Sequence, residues 1–111
     1  MSADAFHVCY GVRWEIDAHF PAVDRLETRR DPRQLAARQH KLGVWWGTTA
    51  APGRFFLLVG HMLGHIGWEG ERACGLTRAD ISRIMAETED RLRLAGFHDE
   101  PAWHFQFEPD Q

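Results

Sequence analysis

Apolar and polar residues alternate without a break through the first segment. Phe6, Val8, Tyr10, Val12, Trp14 and Ile16 fall on one parity, and His7, Cys9, Gly11, Arg13 and Glu15 on the other. A period of two sends successive side chains to opposite sides of a strand. Residues 5–16 are therefore predicted to form a strand with one buried face. Near the other end, Trp103, Phe105 and Phe107 alternate with His104, Gln106 and Glu108, which predicts a last strand over 102–108.

Between them the period changes. Phe20, Val23 and Leu26 have helical spacing, and Pro21 suits a first turn, so residues 18–30 hold a predicted helix. Asp31-Pro32 then restarts the signal, Asp as N-cap and Pro at the first helical position. Leu35, Ala36 and Leu42 continue the stripe, and Gly43 is the expected C-terminal cap. The segment reads as two short helices, or one helix broken before Pro32. Residues 44–49 are β-rich, 50–53 form a Pro-Gly turn, and 54–62 are apolar on both parities, as in a central strand. Together they predict a hairpin. Gly60, Gly64, Gly67, Gly70 and Gly75 follow, and each would cost a helix about 1 kcal/mol against Ala. The strand is expected to run on and bend, with a turn back near Leu63-Gly64 and a short strand at His65–Glu69 as a further option. Residues 77–95 form the clearest helix. Thr77 and Asp80 make a capping box, and Ile81, Ile84, Met85, Thr88, Leu92 and Ala95 make one stripe. Arg83–Glu87, Glu87–Arg91 and Glu89–Arg93 are expected pairs on the other side, and Gly96 ends the helix.

The order is β-α-β-β-α-β within one α+β domain, 1–111. It resembles the ferredoxin-like split β-α-β sandwich: one antiparallel sheet with the helices on one face. The resemblance is one of element order and implies no activity. It places the first strand between the third and fourth. The even-numbered rings of the first strand, with Trp103, Phe105 and Phe107, should then form the core beneath the helices. The helix-free face would carry His7, Cys9, Arg13 and Glu15 beside His104, Gln106 and Glu108. Either Phe55, Leu57, Val59 and His61 or Phe56, Leu58 and Met62 would join them. Such a face suits a homodimer interface or an open ligand cleft.

Composition narrows the classes. The 111 residues are 44% hydrophobic and 26% charged, with seven Phe, five Trp and one Tyr, which excludes disorder. No run of apolar residues is long enough to span a membrane, and no secretion signal is apparent. A net charge of −3 argues against a general nucleic-acid binder. Cys9 and Cys74 lack metal spacing, and two reduced thiols in a cytoplasmic protein are expected. Residues 24–41 carry a local +3, through Arg25, Arg29, Arg30, Arg33, Arg38 and Lys41 against Asp24, Glu27 and Asp31. A solvated helical face explains that excess, and an anion or RNA contact is the functional alternative, though without the aromatic interleaving of single-strand binders.

Three groups of residues could carry chemistry. His61, His65 and Glu69 are spaced by four, but along a strand four residues span about 13 Å. One zinc ion could take both imidazoles only if the chain turned near Gly64, so no metal is expected. Trp45, Trp46 and Trp68 cluster about the hairpin, either as cover for the sheet or as a platform for a flat ligand or a partner loop. His7, Cys9 and His104 would meet on the helix-free face, where a thiolate could be activated. No serine, phosphate-loop or dinucleotide motif occurs. The leading reading is a small non-catalytic binding or protein-interaction domain without cofactor. Its binding residues would be Trp45, Trp46, His61, His65, Trp68, His7 and His104. The alternative is a cofactor-free or haem-handling enzyme of the dimeric ferredoxin-like type, which would need a concave cavity lined by Trp and His.

Overall fold

A computed structural model describes residues 5–67 and 73–109. The elements run β1 (Ala5–Asp17), α1 (Phe20–Glu27), α2 (Pro32–Gln39), β2 (Gly43–Thr48), β3 (Arg54–Gly67), α3 (Arg78–Leu94) and β4 (Ala102–Glu108). The fold is a small α+β domain. Its four-stranded sheet has the order β2-β3-β1-β4 with every neighbouring pair antiparallel, so β1 lies between β3 and β4 as expected.

The helical region breaks before Pro32. Asp31 caps α2 through Arg33 N–H at 2.8 Å, and Gln34 Oε1 accepts from Asp31 N–H at 3.2 Å, closing a capping box. Left-handed Arg29 (φ 59°) ends α1, and left-handed Lys41 (φ 58°) ends α2. The expected cap at Gly43 is thus displaced by two residues. Gly43 instead opens β2, where a Cβ would lie 2.7 Å from the Met62 side chain. On α3 the Thr77–Asp80 capping box forms as expected. Its described ion pairs are Arg83–Asp80 and Arg93–Asp90, one turn apart, rather than the expected i,i+4 pairs. Glu89 is turned to the core side, where it accepts from Tyr10 Oη at 2.5 Å and ties α3 to β1.

All three helices cover one face of the sheet. Ala22, Leu26, Ala37 and Leu92 pack there on Val12, Ile16, Leu57 and Val59, with Trp14, Trp46 and Phe97 at the margin. The helices stop short of the far end. Phe6 is 49% exposed and Phe105 is 69% exposed, although both sit on the helix side of the sheet. Parity therefore assigned these rings to the correct face but not to the core. Trp103 packs on Tyr10 with ring centroids 4.9 Å apart.

The helix-free face is not open. β4 flanks β1 over Ala5–Gly11, whereas β2 flanks β3 over Phe55–Gly60, so the two edge strands lie toward opposite ends of the long β1–β3 ladder. Gly11 faces Gly60 at the middle of that ladder. A Cβ on either would collide with the opposite backbone, so this approach requires two glycines. The register shifts between His7 and Cys9, a bulge that adds bend. The sheet consequently curls toward its helix-free side until its edges meet. Glu108 of β4 reaches Trp45 of β2, and its carboxylate occupies the space a Cβ at Gly47 would need. Cys9, Phe56 and Leu58 are fully buried inside the curl, with Met62 packed on them, and His7 is 2% exposed. At His7 and Cys9 the expected open stripe is a second, smaller core, while Arg13, His104, Gln106 and Glu108 are half-buried and Glu15 is exposed. β3 also runs without a break to Gly67, so the optional turn at Leu63-Gly64 is absent, and Trp68 and Glu69 lie outside the described residues.

Candidate functional site

The polar groups inside the curl are engaged with one another. His7 Nε2–H donates to Glu108 Oε1 at 2.6 Å, and Trp45 Nε1–H donates to the same oxygen at 3.2 Å. The His7 and Trp45 rings lie 4.8 Å apart. Arg13 Nε–H donates to Gln106 Oε1 at 2.5 Å. His104 stands beside Cys9 in the β1–β4 register, as expected, but its Nε2 bonds the Gly11 carbonyl at 3.1 Å. A carbonyl only accepts, so Nε2 carries the proton there. Burial, with Arg13 nearby, holds this imidazole below its ordinary value of 6.5, while the Gly11 bond works the other way. Burial pushes the Cys9 thiol up to about 12, so the thiolate chemistry considered for His7, Cys9 and His104 lacks its nucleophile at neutral pH.

His61 is on the opposite side of the sheet from these groups, in register with Tyr10, while His65 pairs with His7. The two histidines occupy one continuous strand, which removes the turn that metal chelation required. Among the described residues no three potential ligand side chains gather around a point.

Trp45 and Trp46 come together at a different place. As consecutive residues of an edge strand they point to opposite faces. Trp46 turns toward the helices, edge-on to Phe55 at 5.7 Å, and Trp45 turns toward Glu108. Both reach one cleft of about 540 Å3 between β2 and the α1–α2 junction. Leu42 and Val44 supply apolar wall, Gln34 sits deep, and Arg29 and Arg38 complete the lining. This volume is within the range of small-molecule sites.

The arginines of this region are not equivalent. Arg33 is held by Asp31 through two bonds of 2.8 and 2.9 Å and lies 5.2 Å over the Trp14 ring. The guanidinium beside Asp31 holds that carboxyl below the usual range. Gln34 is also committed, donating to the Leu26 carbonyl at 3.1 Å. Arg29 and Arg38 form no ion pair with any described carboxylate. Of the expected binding residues, the cleft thus gathers Trp45 and Trp46. It leaves His7 and His104 on the curl side and His61 in a separate cavity on the helix side. The missed contributors, Arg29 and Arg38, were visible only as part of the local charge excess.

A second cavity, of about 460 Å3, is almost wholly apolar and lies between α3 and the β1–β4 end, lined by Val8, Leu63, Ile81, Trp103 and Phe105 among others. No helix of the described residues is long and apolar enough to cross a membrane. Comparison with known proteins returns no match: no family model, no curated protein and no solved structure matches this chain.

Proposed function

We propose that this protein is a small non-catalytic binding domain whose ligand is a flat, apolar anion held in the Trp/Arg cleft. The observation that carries the reading is the pair Arg29 and Arg38, unpaired among the described residues, on the wall of a cleft shared with Trp45 and Trp46. A guanidinium at such a wall gains most from a carboxylate, sulfonate or phosphate, and indole and aliphatic walls favour a ring. Two unneutralised cations together also raise the local concentration of anions.

The strand order and the single covered face support a ferredoxin-like reading of the architecture. Two unbridged cysteines, one buried and one exposed, support a cytoplasmic setting. The enzymatic alternative of that fold type calls for a cavity lined by both Trp and His, and the described lining of the Trp/Arg cleft is Arg29, Gln34, Arg38, Leu42, Val44, Trp45 and Trp46. Burial of Cys9, Phe56 and Leu58 inside the curl weighs against a homodimer through that part of the helix-free face, and the exposed rings of Phe6 and Phe105 offer a second copy another apolar surface.

Naphthalene sulfonate is a suitable probe, being flat and anionic. Its titration should quench tryptophan emission saturably, and Arg38→Gln should weaken binding about tenfold, the worth of one charge-assisted hydrogen bond. Phe105→Ser, at the separate apolar cavity, should leave the affinity unchanged. Quenching that survives Arg38→Gln but is lost with Phe105→Ser, or no saturable quenching at all, overturns the reading.

A further inference from the structure

A third cavity, of about 230 Å3, lies between the end of α2, the middle of the β2–β3 ladder and α3. Its lining brings together Lys41, His61 and Arg91, with the backbone of Gly43 and Gly60 and the side chain of Thr88. Three basic side chains from three parts of the chain meet here, and among the described residues no carboxylate lines the space. Neither Lys41 nor Arg91 forms an ion pair with a described residue; Arg91 Nη1 makes one long contact, 3.4 Å, to the Lys41 carbonyl.

Thr88 supplies the second, independent observation. It stands on the buried stripe of α3 between Ile84 and Leu92 and is itself only 3% exposed. A hydroxyl on such a stripe normally bonds a backbone carbonyl of its own helix or a neighbouring group. Thr28 does so on α1, but the Thr88 hydroxyl has no hydrogen-bond partner among the described residues. Among the described residues no fully enclosed side-chain oxygen or nitrogen lacks a partner, so this oxygen is not sealed in, and Thr88 lines the cavity. A buried, unspent hydroxyl on a space lined by two cations, Lys41 and Arg91, is a donor waiting for an acceptor.

We propose that this cavity is a binding site for a small tetrahedral oxyanion such as inorganic phosphate. The volume is below the about 300 Å3 at which sites for drug-sized ligands begin, so size selects a small anion over a ring compound. Arg91 and Lys41 supply charge, His61 and the Thr88 hydroxyl supply hydrogen-bond donors, and a side chain at Gly43 or Gly60 would collide with neighbouring strands. The site is separate from the Trp/Arg cleft, with Leu42 as the shared wall, and does not depend on that reading.

The test is a phosphate titration followed by two-dimensional NMR at constant ionic strength, repeated with sulfate. Saturating shifts are expected at the Gly43, Gly60 and Thr88 amides, without comparable shifts at the Trp46 indole. Arg91→Gln, an exposed position, should weaken binding about tenfold. Thr88→Val should weaken it severalfold while the melting temperature holds or rises, which a purely structural role for the hydroxyl would not produce. Non-saturating shifts, saturation centred on Arg29 and Arg38 instead, or undiminished affinity in Arg91→Gln would each overturn the proposal. Should Thr88→Val fail to fold, Lys41→Gln serves with Arg91→Gln, and full affinity in both would overturn it equally.

Discussion

His104 is half-buried and has Arg13 for a neighbour, and both hold its imidazole below the ordinary value of 6.5 against the opposing pull of the Gly11 bond. Its folded value is depressed, so the unfolded chain binds a proton more readily than the folded one. The stability it contributes is complete above the ordinary value of 6.5 and declines as pH falls through that value toward the lower folded one. Acidification from about pH 7 to about pH 5 should therefore lower the urea midpoint. His104→Gln can still donate to Gly11 but cannot titrate, so its midpoint should fall less over the same interval. Equal slopes in the two proteins would show that this imidazole is not a source of the acid sensitivity. Cys9, alongside, is held protonated by burial and takes no part in the titration at these pH values.

At the scale of elements, the decisive feature is the Gly11–Gly60 crossing, where the β1–β3 ladder bends. Gly60→Ala places a methyl group against the Tyr10 carbonyl, where backbone rather than a flexible side chain must yield. A loss of about 1–3 kcal/mol, or more if the curl opens, is expected in denaturant unfolding. Gly75→Ala, where a Cβ meets nothing within 4 Å, should be nearly neutral. Equal effects at the two positions would deny the crossing its role.

Much of this level is legible in the sequence. The pleat is a local property, so the sidedness of β1 and β4 follows from alternation alone, and Asp31-Pro32 marks the helix break through capping chemistry. The curl is not local. It depends on two glycines 49 residues apart meeting backbone to backbone, and alternation cannot say which glycine meets which. For the same reason parity could assign Phe6 and Phe105 to the helix side without revealing that both rings stay exposed there. The candidate cleft was half visible. Adjacent Trp45 and Trp46 stand out on an edge strand, but the contrast between Arg33 and Arg38 rests on Asp31 turning back to its own helix.

For the whole molecule, the curl decides where function can reside. An open helix-free face would have offered His7, Cys9 and His104 to a partner. Closure by Glu108, which accepts from both His7 and Trp45, buries His7 and Cys9 and leaves His104 half-buried. The two proposed sites lie elsewhere, at the outer side of β2, where Trp45 and Trp46 share a cleft with Arg29 and Arg38, and in the small basic cavity across Leu42. The most direct test is a thiol titration of the native protein, because its two free cysteines occupy opposite environments. The account predicts one rapidly reacting thiol, Cys74, with Cys9 reacting only after denaturant is added. Two thiols reacting together in the native state, or rapid labelling of Cys9 in a Cys74→Ser variant, would show that the helix-free face is open and contradict the account.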